Sequence, residues 1–345
     1  MTEKKNLKSY TYNELEALVR NELGEPSFRA KQIFEWLYRG VDSFDEMSNL
    51  SKSLRERLDA AYIAGNLKIE QKFVSRIDET RRYLLKLEDG NYIESVLMKY
   101  HHGYTICVSS QVGCAMGCRF CASTRNGKAR NLSAGEIIGQ LMTVQKDLGE
   151  RISNIVMMGI GEPLDNYDEV LKFLEIVNHP SGLNIGHRHI TLSTCGLVPK
   201  IKDLADRQLQ ITLSVSLHAA DDETRSEIMP VNRRYSISQL MEACRYYIKK
   251  TNRRISFEYT LISGVNDNSA EAEKLLKLLH GMLCHVNLIP VNPVKETGFK
   301  QGSRAKIEEF QRILESGGIS ATIRREMGAD ISAACGQLRA SAKSV

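Results

Sequence analysis

Residues 104–121 read Tyr104-Thr-Ile-Cys107-Val-Ser109-Ser-Gln-Val-Gly113-Cys114-Ala-Met-Gly117-Cys118-Arg-Phe-Cys121. The first six have the aromatic and β-branched composition of a buried strand, and the remainder is a small-residue loop carrying three cysteines. Strand followed by loop and helix then recurs. Strands are predicted at 104–109, 154–158, 189–193, 211–216, 255–261 and 285–290, with amphipathic helical stretches such as 133–148, 168–177, 238–249 and 270–279 between them. Strands that alternate with helices pair in parallel, so six such units imply an α/β fold in which the sheet curls into a partial (β/α)6 barrel.

Upstream of this repeat the pattern is helical. Thr11 and Glu14 form a capping box, because a hydroxyl and a carboxylate three apart satisfy each other's free backbone donors. Leu15, Leu18, Val19 and Leu23 follow at helical spacing, Ser43 and Glu46 repeat the signal, and Ile33, Trp36 and Leu37 supply the facing apolar surface. Trp36 is read as a packing residue. Residues 83–87 and 92–98 flank Asp89-Gly90, a pair suited to a tight hairpin turn. The expected division is a helical accessory domain at 1–66 offering basic and aromatic residues to a partner, a β-hairpin linker at 67–100, and the barrel at 101–345.

The chain has 345 residues, 42% hydrophobic and 26% charged, which suffices for one large core with a small appended domain. Residues 1–11 are charged and polar, and no apolar run approaches the roughly 18 residues of a membrane span. No membrane association is expected, and a reducing cytoplasm suits eight cysteines better than a disulfide frame does. The net charge of +5, from 47 basic and 42 acidic residues, is too mild to identify a partner. Local clusters say more: Arg119, Arg125, Lys128 and Arg130 lie in a run without acids, and Arg233/Arg234, Arg253/Arg254 and Arg324/Arg325 are further pairs. Any one pair reads as a solvated face, whereas several around one site suit a phosphate backbone.

In a β/α barrel the chemistry gathers at the carboxyl ends of the strands. The six loops there contain Cys114-x-x-x-Cys118-x-x-Cys121, Gly159-Ile-Gly161-Glu162-Pro163, Ser193-Thr-Cys195-Gly196, Ser216-Leu217-His218, Ser263-Gly-Val-Asn-Asp267 and Val291-Asn292-Pro293. Thiolates are soft ligands for iron–sulfur clusters or zinc, and a protein cluster normally takes four. Three leave one iron open to bind S-adenosylmethionine through its amine and carboxylate. The competing reading is a zinc site completed by His101 or His102. Gly159 and Gly161 either admit a ligand close to the backbone or make a tight turn, and Glu162 offers an acceptor for an ammonium group. His218 alone reads as a packed core histidine, and Cys195, Cys244 and Cys284 as small apolar residues.

The run 109–121, the Gly161-Glu162-Pro163 loop, Ser216-Leu217-His218 and the tail Ala333-Ala334-Cys335-Gly336-Gln337-Leu338 together resemble the RlmN/Cfr family of radical SAM RNA methyltransferases. The resemblance runs nearly end to end. Met158-Gly-Ile-Gly-Glu162-Pro163 resembles the RlmN branch, which methylates adenine C2, more than the Cfr branch, which methylates C8. The resemblance implies a [4Fe-4S] cluster on Cys114, Cys118 and Cys121, and S-adenosylmethionine used twice per turnover and held by Gly161, Glu162, Ser193, Ser216, Leu217, His218 and Asn292. It further implies a methyl carrier at Cys335, a resolving thiol at Cys107, and Glu94 or Cys107 as acceptor of the C2 proton. Apart from the resemblance, Glu94 reads as a solvent-facing strand carboxylate. The implied partners are 23S rRNA, tRNA and an electron donor such as flavodoxin or ferredoxin, with the protein a monomer. The different-class alternative is a non-enzymatic zinc protein that binds rRNA.

Overall fold

The structure, a computed structural model, describes residues 4–339 apart from 66, 293, 295 and 296. Pro293 of the sixth loop therefore lies outside the described residues, as do the outermost residues of the first and third predicted segments. Among the described residues, ten strands form one sheet. Its parallel part runs Gly103–Cys107, Ile152–Met157, Ile190–Thr194, Thr212–Ser216, Ile255–Leu261, Cys284–Pro290 and Ala321–Ile323, each paired with the next. The first six, hereafter the first to sixth barrel strands, fall where the sequence puts them. The seventh, three residues long, carries too little pattern to be read.

Tyr92–Tyr100 joins the first barrel strand antiparallel, followed by Arg81–Lys86 and Lys68–Val74. The expected hairpin, Arg81–Lys86 with Tyr92–Tyr100, is present, and Lys68–Val74 adds a third antiparallel strand, all continuous with the barrel sheet. Lys68–Val74 was missed because its side chains alternate only between exposed and half-buried. Its charges suit a sheet edge, where they discourage pairing with another chain.

Helices Ala134–Leu148, Tyr167–Asn178, Val198–Asp206, Asp222–Ile228, Ile237–Thr251, Ser269–Leu279 and Arg304–Ser316 cover the sheet. Ser133 with Glu136 and Ser236 with Gln239 make capping boxes at two of them, and left-handed Gly149 and Asn252 end the same two. The main core takes Ile106, Ile155, Leu192, Leu213, Phe257 and Val286 from the strands and Ile137, Ile138 and Leu141 from a helix. Leu15, Phe34 and Leu37 of the amino-terminal helices Tyr12–Asn21 and Phe28–Arg39 belong to the same core. The Thr11–Glu14 capping box is present. Ser9 receives the Gly135 amide at 3.1 Å, and the Tyr12 ring stacks on His179 with centroids 4.6 Å apart. These contacts dock the amino-terminal unit on the outside of the barrel.

Candidate active site at the barrel mouth

The cysteine loop is closed at its base by a short antiparallel pair, Gln111–Gly113 with Lys128–Asn131. Gly113 has φ +75°, and a Cβ there would sit 1.9 Å from the Gly127 carbonyl oxygen, so only glycine lets the two arms meet. The Cys114 amide donates to that carbonyl at 2.9 Å. At its far end the loop is stitched down twice: the Arg119 amide donates to Ile228 O at 2.9 Å and the Ala122 amide to Gly336 O at 2.7 Å.

Cys114, Cys118 and Cys121 all line one cavity with an empty volume of about 940 Å³. Burial pushes the Cys114 thiol up to about 12 and the Cys118 and Cys121 thiols upward as well, and for Cys118 the neighbouring Cys121 and Cys114 add to the shift. A metal that binds them must displace these protons. Among the described residues no three His, Cys, Asp or Glu side chains converge on a single ion. A cubane asks for a different arrangement, in which each thiolate meets its own iron. Three soft donors in one cavity, with Met116, Phe120 and Met229 as apolar shielding and polar groups in the same lining, fit such a cluster and a sulfonium ligand beside it.

Gly161, Glu162, Ser193, Ser216, His218 and Asn292 line the same cavity. Glu162 is fixed by two amides, Cys195 N–H to Oε2 at 2.7 Å and Leu164 N–H to Oε1 at 3.0 Å. Burial raises its pKa and these amides work against that rise. Its own amide donates to Gln111 Oε1 at 2.9 Å, which ties this loop to the cysteine loop. Gly161 has φ +108°, and a Cβ there would meet the Gln111 Cβ at 2.7 Å, so the glycine serves a tight turn and this packing.

His218, also at positive φ, accepts the Thr260 amide at Nδ1 (2.9 Å), and its ring lies edge-on to Phe120. That bond leaves the hydrogen on Nε2. Burial drives its pKa down to about 3, with Arg225 adding to the effect, so the ring is neutral. Leu217 is the exception among the expected cofactor contacts: its side chain belongs to the main core and does not line the cavity.

Cys335 is exposed and stands on the wall of this cavity and of a second one, about 660 Å³ in empty volume. Met98, Tyr100, Gln301 and Arg325 line the second cavity alone, and Ile289, Asn292 and Arg324 line both. Asn292 Nδ2 donates to the Cys335 carbonyl at 2.9 Å. Cys107 ends the first barrel strand in a separate apolar cluster with Met98, Met327, Ala333 and Leu338. Burial, and secondarily the nearby Cys335 sulfur, pushes its thiol up to about 12.

Glu94 is buried, not solvent-facing. Its Oε1 accepts from Arg82 Nη1 at 2.8 Å and its Oε2 from the Arg339 amide at 2.6 Å, and it lines neither cavity.

Several expectations change. Cys195 is more than a packing residue, since it lines the main cavity and its amide orients Glu162. In the basic run, Arg119 pairs with Glu227, Lys128 with Asp165, and Arg130 with Asp89 and Glu136. Arg125 has no ion pair among the described residues. Glu258, Thr260 and Arg324 also line the cavity. Glu258 had a visible signal, a carboxylate inside the apolar strand Ile255–Leu261, where it now accepts from Ser214 Oγ at 2.7 Å and Asn287 Nδ2 at 2.8 Å.

Residues 108–279 match the Radical SAM superfamily, and residues 5–63 match the ribosomal RNA large subunit methyltransferase N-terminal domain. The probable dual-specificity RNA methyltransferase RlmN of Alkaliphilus oremlandii is 60% identical over 337 residues, covering 98% of each chain. The chain belongs to the RlmN family. Its counterpart in Clostridium beijerinckii, described in the same words, is 58% identical over 97% of this chain and 95% of its own. A crystal structure of a radical SAM methyltransferase from Sphaerobacter thermophilus superposes with TM-score 0.93 at 46% identity, over 98% of this chain and 100% of that one. RlmN membership brings with it a [4Fe-4S] cluster and S-adenosylmethionine, and a non-enzymatic zinc protein does not stand beside it. No helix of the described RlmN-family chain is long and apolar enough to cross a membrane.

Proposed function

We propose that this chain methylates C2 of an adenosine in 23S rRNA and of an adenosine in tRNA, through a methyl group carried on Cys335. The observation that supports this most is the position of Cys335 on the shared wall of two cavities, one bearing the cysteine triplet and one beside it. Adenine C2 is electron-poor and does not attack a sulfonium methyl, so a radical route is required. Cys114, Cys118 and Cys121 hold the cluster; Glu162, Gly161, Ser193, Ser216 and His218 hold S-adenosylmethionine, with Leu217 contributing its backbone at most. Asn292 acts on both sides, facing the cofactor and fixing the Cys335 backbone.

A [4Fe-4S] cluster held by Cys114, Cys118 and Cys121 would supply the electron for reductive cleavage of S-adenosylmethionine to methionine and a hydrogen-abstracting 5′-deoxyadenosyl radical. The Cys335 thiolate first takes a methyl group from one S-adenosylmethionine. That S-methyl group loses a hydrogen atom to a second one, and the resulting methylene joins Cys335 to C2. The adduct loses the C2 proton to a protein base and one electron, which the oxidised cluster would take back, and the ring regains aromaticity. Cys107 then attacks the Cys335 sulfur; the S–S bond forms as the carbon–sulfur bond breaks, and the proton given up by the Cys107 thiol balances the one the released carbon takes to become the product methyl. Cys107 is protonated where it lies, with its thiol at about 12, which favours Glu94 as proton acceptor, a role that requires its carboxylate to leave the Arg339 amide and Arg82 and reach the cavity. The protein works as a monomer in the cytoplasm, with flavodoxin or ferredoxin as electron donor. Digestion of RNA treated with reconstituted enzyme, run against 2-methyl- and 8-methyladenosine standards, tests the proposal. A 2-methyl product is expected, and an 8-methyl product or none refutes it.

A further inference from the structure

Three arginines are largely buried near the barrel mouth, and two of them face carboxylates: Arg82 lies 2.8 Å from Glu94 and Arg324 lies 3.4 Å from Glu258. Arg225, on the helix Asp222–Ile228, is 0% exposed and has no ion pair among the described residues. Its hydrogen bonds all go to neutral acceptors: Nε to Leu217 O at 3.0 Å, Nη1 to Asn232 Oδ1 at 2.9 Å, and Nη2 to Cys195 O at 2.7 Å and Ser216 O at 3.1 Å. The Asp222 carboxylate is reached only through Asn232, whose Nδ2 donates to Asp222 Oδ1 at 2.9 Å. Guanidinium does not give up its proton in proteins, and a buried charge that no counter-charge touches is destabilising. A fold that keeps one there has an anion to place against it.

The neighbourhood names that anion. The helix bearing Arg225 takes the Arg119 amide at Ile228 O, within the Cys118-Arg-Phe-Cys121 turn. Cys118 packs in one apolar cluster with Cys195 and Ile228. Arg225 is within electrostatic reach of both sulfurs. Three thiolates on a dipositive four-iron core leave one net negative charge when oxidised and two when reduced, and net charge is one of the factors that set a cluster's potential.

We infer that Arg225 is the fixed counter-charge of the cluster, and that it makes one-electron reduction easier by favouring the more negative state. This rests on the assignment of Cys114, Cys118 and Cys121 as ligands. Arg225 also ties together the loops after the third and fourth barrel strands, so its charge has to be separated from its hydrogen bonds. Arg225→Gln removes the charge, Arg225→Lys keeps it with fewer bonds, and Asn232→Asp leaves Arg225 in place but sets a carboxylate against it.

The measurement is a dithionite redox titration of each reconstituted protein followed by electron paramagnetic resonance, with iron and sulfide counted per chain. The midpoint of Arg225→Gln is expected to fall by about 60 mV, a tenfold loss in the one-electron reduction equilibrium. Asn232→Asp should shift the same way and Arg225→Lys should stay with the parent. If Arg225→Gln does not fold or load, Asn232→Asp decides alone. Loaded variants with the parental midpoint overturn the inference, and so does a midpoint for Arg225→Lys that falls as far as that for Arg225→Gln. A failure of the parent to load iron and sulfide would instead remove the ligand assignment.

Discussion

The cysteine loop and the Cys335 segment face the same cavity but are held very differently. The loop is anchored at both ends by main-chain bonds, through Gly113 and Cys114 to Gly127 and through Arg119 and Ala122 to a helix and to Gly336. Cys335 is exposed, and apart from the Ala122–Gly336 main-chain bond its segment is tethered to the loop and barrel by side chains: Asn292 to Cys335 O, Ser123 Oγ to Leu338 O at 2.9 Å, and Glu94 to the Arg339 amide. Side-chain tethers can be released singly, whereas a loop woven into the backbone moves as a unit. A metal site needs the second kind of support, and a group that must meet two reactants in turn needs the first.

The most severe way to break the rigid half is Cys118→Ala. Two thiolates do not hold a cubane securely, so 5′-deoxyadenosine formation should be lost entirely while the far-UV circular dichroism is retained. Unchanged cleavage would count against the cluster assignment. On the side of Cys335, Cys107→Ala should permit methylation of Cys335 and addition to the ring but block release. A nuclease-sensitive protein–RNA band on a denaturing gel is then expected, and replacing Cys335 as well should abolish it. Normal turnover would reduce Cys107 to a packing residue.

A smaller effect sharpens the contrast through His218. Its folded pKa, about 3, lies below the ordinary value of about 6.5, so its contribution to stability is complete above pH 6.5 and is lost as pH falls from there toward 3. Between pH 7 and pH 5 this amounts to about 2 kcal/mol, at about 1.4 kcal/mol per unit. Denaturant titrations at the two pH values should show that difference shrinking in His218→Asn, and an unchanged difference would mean that the ring does not titrate on unfolding. The smallest effect is expected from Arg125→Glu, which removes the one cation of the loop's basic run without an ion pair among the described residues. The log–log salt slope of RNA binding should fall by about one, because one phosphate contact fewer releases fewer counterions. An unaltered slope would make Arg125 a solvated residue.

The six barrel strands were legible because the core face puts mostly apolar residues at alternate positions, as in Ile190–Thr194 and Cys284–Pro290, and the cysteine triplet because three soft ligands of one kind are conspicuous in any loop. Lys68–Val74 was not, since an exposed edge strand has no buried face to write a pattern. The pairing of Arg119, Lys128 and Arg130 with carboxylates was equally hidden. Glu227, Asp165, Asp89 and Glu136 come from four separate places in the chain, and only folding brings them to the loop. Arg225 belongs to the same category, because its surroundings are backbone carbonyls, which carry no sequence signal.

The central claim, that the methyl carbon travels by way of Cys335, has a direct isotopic test. Reconstituted enzyme is given S-adenosylmethionine with a fully deuterated methyl group, and the methylated adenosine is weighed after digestion of the RNA. A carbon that surrenders one hydrogen atom to the radical and regains one from exchangeable protons must arrive as CD2H. A CD3 group in the product would mean that the methyl moved intact, and the role of Cys335 proposed here would be wrong.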